Sequence, residues 1–137
     1  MYFYRQNFNR NIMNFPDNLK YTREHEWLRT EGNEAVIGIT DFAQKELGDI
    51  VFIDIDTAGE TLSAGDKFGA VEAVKTVSDL YMPVGGKILS SNTLLEIAPE
   101  TANKDPYGEG WMIRIQLTNP IELNGLMSVA DYVEFTN

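Results

Sequence analysis

The stretch that decides the fold is GAVEAVKTVSDLYMP, residues 69–83. Two short runs suited to β-strands, residues 69–74 and 77–82, flank a single lysine, Lys75. Neither Gly nor Pro lies between these runs, so the chain must reverse in a tight turn with Lys75 close to its tip. A lysine in such a turn is exposed, and its primary amine on a long flexible stem can carry a covalent group. From the hairpin alone, an ordinary solvated turn lysine is the simpler interpretation.

Further strands are predicted on the N-terminal side of this hairpin. Residues 25–39 alternate in hydropathy around a Glu-Gly-Asn turn and predict a second hairpin. Residues 50–55 predict a single strand, with the side chains of Val51, Ile53 and Ile55 on one face. Both segments are short, as in sheets built from many small strands.

The sequence predicts only two helices. Thr40 can cap a short helix over residues 41–47, which Gly48 would end. A C-terminal helix is predicted near residues 120–134, with Asn119 as its N-terminal cap.

The remaining segments predict a loop over residues 92–110 and a final strand over residues 111–117. Many short strands, frequent glycine turns and two helices indicate a mainly-β sandwich or flattened barrel.

Composition excludes several classes of function. The 137 residues include no cysteine, so disulfides, a thiol nucleophile and thiolate metal ligands are all absent, and redox chemistry would need an attached cofactor. No apolar run approaches the length that spans a membrane. A formal net charge of -10 disfavours nucleic acids and anionic membranes, and it favours partners with basic docking surfaces.

The only histidine lies in the cluster Glu24-His25-Glu26. On a strand, Glu24 and Glu26 would point to one side and His25 to the other. A metal site needs three or four converging ligands, and no serine motif accompanies the histidine for nucleophilic catalysis. We therefore expect no metal site and no enzyme activity, and we assign His25 to packing or to a partner contact.

Residues 1–12 differ from the rest of the chain. They contain Arg5 and Arg10 but no acidic residue, and asparagine and aromatic residues dominate them. We interpret them as an N-terminal extension, either a tag remnant or an alternative start upstream of Met13; a mitochondrial presequence fits less well because serine is absent. Residues 13–137 are predicted to form one domain.

From about Leu19 to its C-terminus the chain resembles the H protein of the glycine cleavage system, a family of lipoylated carriers. Each motif is weak alone, but together they follow the order and spacing of the family. The motifs are LKYT (19–22), EHEW (24–27), GITDFAQ (38–44), LGDIV (47–51), VEAVK (71–75), SDLY (78–81), DPYG (105–108) and GW (110–111).

This resemblance implies a barrel-sandwich hybrid of the lipoyl/biotinyl type, with two small antiparallel sheets. It implies lipoate attached covalently to Lys75, one group per chain, and Glu72 as a recognition residue for the enzyme that installs it. It also implies that Glu26 and Asp79 line a cleft for the lipoyl arm, where a carboxylate would pair with the aminomethyl cation.

The resemblance implies a non-catalytic carrier that visits three enzymes. These are a pyridoxal-phosphate glycine decarboxylase, a tetrahydrofolate-dependent aminomethyltransferase and a flavin dihydrolipoyl dehydrogenase, while a lipoate ligase or a lipoyl/octanoyl transferase modifies the lysine. The alternative is an H-like protein that passes its lipoyl group to other lipoyl-dependent enzymes. We expect a monomer in the bacterial cytoplasm, or in the mitochondrial matrix if the source is eukaryotic.

Overall fold

The computed structural model describes residues 13–137, so the predicted extension over residues 1–12 lies outside the described residues. The strands are β1 (Lys20–Tyr21), β2 (Glu26–Glu31), β3 (Glu34–Ile39), β4 (Ile50–Asp54), β5 (Thr61–Leu62), β6 (Lys67–Ala73), β7 (Val77–Tyr81), β8 (Gly86–Ser91) and β9 (Ile113–Leu117). A six-stranded sheet has the order β1-β2-β3-β9-β8-β5, and a three-stranded sheet has the order β4-β6-β7. All pairings are antiparallel, which confirms the mainly-β prediction.

The hairpin predicted over residues 25–39 is confirmed as β2 and β3. Gly32 in its turn has a φ of 65°, a left-handed conformation that glycine adopts without strain. The register places Glu26 opposite Ile39, at the open end of the hairpin. Glu26 therefore lies where the large sheet meets the helix that follows.

Helix α1 (Asp41–Leu47) begins and ends as predicted. The Thr40 hydroxyl accepts a hydrogen bond from the backbone N–H of Ala43 at 3.1 Å, and Gly48 ends the helix with a φ of 79°. Thr40 is buried, and its hydroxyl is also hydrogen-bonded to the Tyr132 hydroxyl at 2.8 Å. The start of α1 is thereby joined to the C-terminal segment.

Strand β4 departs from the predicted alternation. The prediction places Val51 and Ile53 on one face with Ile55, but Val51 is half exposed while Ile50 and Ile53 are buried. A β-bulge between Ile50 and Phe52 is the cause, since one extra residue reverses the alternation that follows it. The prediction was wrong for Val51, and two consecutive apolar side chains face solvent.

The segment 92–110, predicted as a loop, contains two helices of four residues each, α2 (Leu94–Ile97) and α3 (Thr101–Lys104). One helical turn is too short for a 3.6-residue period to be visible in the sequence. Leu95 and Ala102 are buried in the core and fix the two helices to it.

The prediction of one continuous helix near residues 120–134 was wrong. A 3₁₀ helix, Pro120–Gly125, and helix α4, Val129–Thr136, take its place. Between them, Met127 exchanges two backbone hydrogen bonds of 2.9 Å with Tyr21. This pairing holds the chain extended beside β1, and a helix cannot continue through it.

The side chains at the helix ends also differ from the prediction. Asn119 makes no capping hydrogen bond, and the Glu122 carboxylate accepts one from the backbone N–H of Gly85 at 2.8 Å. The effective cap is Ser128, whose hydroxyl accepts from the N–H of Asp131 at 3.2 Å. Helix α4 therefore has a start signal of its own, nine residues after the predicted cap.

Two hydrophobic clusters form the core. The larger contains residues of both sheets, among them Ile53, Val71, Leu80, Ile37, Ile88 and Ile115. The smaller is rich in aromatic residues and comprises Leu19, Tyr21, Trp27, Val36 and Tyr132. The rings of Tyr21 and Tyr132 stack with their centroids 4.6 Å apart, so α4 packs against β1.

Candidate functional site

Lys75 lies in the turn of the β6–β7 hairpin, and its side chain is exposed. The backbone N–H of Ala73 donates to the carbonyl of Thr76 at 2.8 Å and closes the turn. The N–H of Val74 donates to the carbonyl of Asp49 at 3.0 Å, which fixes the turn to the segment before β4. The lysine is therefore presented by backbone that is hydrogen-bonded on both sides.

The stem of Lys75 lies beside the C-terminal end of α1. A Cβ built on Gly48 would lie 3.5 Å from Lys75 Cε and 3.9 Å from Nζ, which are ordinary contact distances, so the stem passes close to Gly48 without crowding it. Because the side chain is otherwise exposed, a long acyl chain can be joined to Nζ without displacing any part of the fold. The site thus fits a lipoyl group in amide linkage.

Glu26 is buried at the start of β2, with only 2% of its surface exposed. Its carboxylate accepts a hydrogen bond from the Thr22 hydroxyl at 2.6 Å and one from the backbone N–H of Tyr81 at 3.3 Å. Burial raises the pKa of Glu26 to about 7, although these two hydrogen bonds lower it; the nearby charge of Glu24 raises it further. The carboxyl group therefore titrates near neutral pH.

Glu26 forms part of the wall of a cleft of about 630 Å³. This volume is within the range of small-molecule sites in proteins. The segment from β1 to β2, the end of β7 and the chain that leaves the 3₁₀ helix line it, with Tyr21, Thr22, Tyr81, Met82, Leu126 and Met127 among the lining residues.

Asp79 lies outside this cleft. Its exposed carboxylate is 3.2 Å from Lys67 Nζ and 3.5 Å from the Tyr81 hydroxyl. Tyr81 thus contacts both acids, Glu26 through its backbone N–H and Asp79 through its hydroxyl. The two acids expected in the cleft are joined through one tyrosine, but only Glu26 borders the cleft itself.

Glu72 lies on the solvent face of the three-stranded sheet. The register places it opposite Phe52 on β4 and opposite Val77 on β7, and all three side chains are exposed. Directly opposed residues of an antiparallel pair lie on the same face. Glu72 is therefore accessible to a protein that approaches Lys75.

His25 contributes to packing. It has a φ of 70°, outside the strand, so the prediction that Glu24 and Glu26 share one side was wrong: Glu24 is exposed and Glu26 buried. The ring packs against Phe42, and its Nδ1 lies 2.7 Å from the Tyr132 hydroxyl. Burial lowers the pKa of His25.

Thr22 and Tyr81 are cleft residues that the sequence prediction missed. The Thr22 hydroxyl also accepts from the N–H of Glu26 at 3.0 Å, and this four-residue spacing of a hydroxyl and an acid is a local signal. Tyr81 lies 55 residues from Glu26 in the sequence, so no local pattern could have indicated their contact.

Within residues 13–137, no group of three or more histidine, aspartate or glutamate side chains is placed to hold a metal ion. No helix in that range is long and apolar enough to cross a membrane.

A three-stranded sheet packed on a larger one, with an exposed lysine in its hairpin turn, defines the class of lipoyl/biotinyl-type carrier domains. The crystal structure of a glycine cleavage system H protein from Mycobacterium marinum is similar, with a TM-score of 0.82 and 38% sequence identity. The match covers 89% of this chain and 98% of that one, and it confirms the barrel-sandwich prediction.

The family model described as "Glycine cleavage H-protein" matches residues 19–137. The glycine cleavage system H protein of Bacteroides fragilis is 55% identical over 125 residues, which are 91% of this chain and 99% of that protein. That of Salinibacter ruber is 58% identical over 124 residues, 90% of this chain and all of that protein. The chain belongs to the glycine cleavage H-protein family, and its role is that of a carrier protein in the glycine cleavage system.

Proposed function

We propose that this chain bears lipoate in amide linkage on Lys75 and thereby carries the aminomethyl group of glycine between enzymes. The observation that supports this most directly is the exposed amine of Lys75. It is presented on a turn that two backbone hydrogen bonds hold in place, in a chain that belongs to the H-protein family.

Attachment requires only the lysine amine from this chain. The Nζ atom attacks the carboxyl carbon of an activated lipoyl group, the amide C–N bond forms, the bond to the activating group breaks, and the nitrogen loses a proton to solvent. A lipoate ligase or a lipoyl/octanoyl transferase supplies the activated group. Glu72, exposed and three residues before Lys75, is recognised by that enzyme and takes no part in the chemistry.

Held on Lys75, a lipoyl group would supply a reducible disulfide to carry the aminomethyl group; the carboxylate of glycine would leave as CO2, which accounts for the two electrons, and the resulting dithiol would have to be reoxidised. A pyridoxal-phosphate glycine decarboxylase, a tetrahydrofolate-dependent aminomethyltransferase and an FAD-containing dihydrolipoyl dehydrogenase act on the lipoyl group in turn. This chain presents the arm to each enzyme and shelters its end between them.

The cleft beside Glu26 is the shelter. The cargo is a cation, and a buried carboxylate can hold it through a charge-assisted hydrogen bond. The Thr22 hydroxyl and the Tyr81 N–H fix the orientation of that carboxylate, while Asp79 adds negative charge on the outer side of Tyr81. By excluding water, the cleft slows hydrolysis of the cargo to formaldehyde and ammonia.

The chain acts as a carrier and not as a catalyst, so the purified protein alone should not turn over glycine, esters or phosphates. The relatives named above are bacterial proteins, which favours the bacterial cytoplasm over the mitochondrial matrix. A monomer is sufficient for this role, because one chain contains both the lysine and the cleft.

Reconstitution with the three enzymes tests the proposal. Glycine-dependent NADH formation should require the lipoylated protein and should be abolished by Lys75→Arg, since a guanidinium is not acylated. The same variant should unfold at the wild-type temperature, because an exposed turn residue contributes little to stability. Lipoylated wild type that supports no glycine turnover, yet donates its lipoyl group to another lipoyl domain, would instead favour the relay function.

A further inference from the structure

Apolar side chains surround the modification site. The part of the chain that the structure describes exposes eight large apolar residues, and four of them lie around Lys75. Exposed apolar residues scattered singly are normal, whereas a contiguous group marks an interaction site. We call this group the tip patch; its members, with their exposed fractions, are Val51 (50%), Phe52 (52%), Val74 (75%) and Val77 (65%).

The register places Phe52 and Val77 of the tip patch on one face of the three-stranded sheet, on either side of Glu72. Phe52, Glu72 and Val77 form one row across the three strands on the solvent face, with Cβ atoms of neighbours about 4.5–5.5 Å apart. Val74 lies in the lysine turn, hydrogen-bonded to the segment that leads into Val51. Two apolar side chains therefore flank one carboxylate immediately beside the turn.

The bulge in β4 enlarges this surface. Regular alternation would bury one of two consecutive residues, yet both Val51 and Phe52 are half exposed. Bulges recur beside functional sites, where they redirect a side chain. The fold thus exposes more apolar surface at the lysine hairpin than a plain strand would.

We propose that the tip patch is the docking surface for the enzyme that acylates Lys75, with Phe52 and Val77 as apolar anchors on either side of Glu72. This inference rests on the proposed function. The acylating enzyme must form its bond at Nζ, so its active site has to close over the turn itself. Enzymes that act on the far end of the attached chain do not need this contact.

The negative charge of the tip patch disfavours a second copy of this chain as the partner that binds it. In a symmetric contact the Glu72 carboxylate at the centre of the patch would approach its own equivalent, and such like-charge pairs are unfavourable. Asp54 continues the negative charge along the same face, whereas Asp79, also on it, is paired with Lys67 at 3.2 Å. A partner surface with apolar pockets and a basic rim fits this pattern.

The test uses the unmodified full chain with purified lipoate ligase, lipoate and ATP, and it follows initial rates by intact mass. Phe52→Thr and Val77→Thr keep a side chain that suits a strand but remove apolar contact. Ile121→Thr is the matched control, since Ile121 is 68% exposed and lies on the 3₁₀ helix. We expect KM to rise by roughly tenfold in each tip variant, with kcat and the control unchanged.

A small acetylating reagent should modify Lys75 equally fast in all variants, because backbone atoms hold the turn. Slower acetylation of both tip variants would mean a distorted turn and would count against docking. If wild type is acylated normally and KM is unchanged in both Phe52→Thr and Val77→Thr, the docking proposal is wrong but the proposed function stands. A wild-type dimer that becomes monomeric on either substitution overturns it in favour of self-association. Wild type that is not acylated at all overturns the proposed function as well.

Discussion

Glu26 is the side chain on which retention of the cargo depends in this account. Glu26→Gln should leave lipoylation intact but shorten the life of the loaded form, because a charge-assisted hydrogen bond contributes about 1.5–3 kcal/mol, or roughly ten- to a hundredfold in occupancy of the cleft. Asp79→Asn should have a smaller effect, about two- to fivefold, since exposed charges contribute at most ~1 kcal/mol. The measurement is formaldehyde release over time after loading by the decarboxylase and removal of that enzyme. Equal rates in wild type and both variants would show that neither acid holds the cargo.

The raised pKa of Glu26 predicts a pH-dependent stability. The ordinary value of 4.5 describes the unfolded chain, and the folded value is about 7. Between these values the folded protein retains a proton that the unfolded chain has released, so the free energy of unfolding falls as pH rises. Glu26→Gln removes this loss, and the variant should gain on the order of 3 kcal/mol relative to wild type between pH 5 and pH 8. Urea unfolding at several pH values measures both free energies of unfolding. A difference between variant and wild type that stays constant from pH 5 to pH 8 would contradict the raised pKa of Glu26.

Local sequence patterns predicted some features of individual residues, while other features depend on parts of the chain that are distant in sequence. The exposure of Lys75 was predictable, because a two-strand pattern without glycine or proline leaves room only for a tight turn. The family motif singled out Glu26, but its burial and its bond to Tyr81 depend on the packing of distant strands. The left-handed φ of His25 has no local signal, and it invalidated the strand alternation assumed there.

At the scale of elements, Ser128 is the cap that starts α4. Ser128→Ala should lower the free energy of unfolding by about 1 kcal/mol, because the N–H of Asp131 loses its acceptor. Thr93→Ala is the matched control, since Thr93 precedes α2 without a side-chain capping bond and its loss should cost less. Chemical denaturation of both variants measures the difference. An equal effect of the two substitutions would contradict the role given to Ser128.

Helix α1 was predictable and the C-terminal helix was not, for the same physical reason. The signals of α1, Thr40 and Gly48, are contiguous with the helix that they bound. The break before α4 comes from the pairing of Met127 with Tyr21, which is remote in sequence and stronger than the local pattern. The bulge in β4 is likewise set by its pairing with β6.

At the scale of the whole molecule, the hairpin of the small sheet presents Lys75, and the aromatic cluster packs α4 against β1. The cleft lies between these parts, lined by the end of β7 and by the segments around Tyr21 and Met127. In the proposed function, one chain therefore both displays an arm and shelters its end. The family resemblance led us to expect a cleft beside Glu26, but most of its lining could not be predicted from the sequence, because three distant segments build it.

Peptide mapping by mass spectrometry of protein from a lipoate-supplemented host is the decisive test of attachment at Lys75. We expect one lipoyl group per chain, in amide linkage to Lys75, with Lys67 and Lys87 unmodified. Lipoate on either of those lysines, or a chain that stays unmodified in the presence of lipoate and an active ligase, would contradict it.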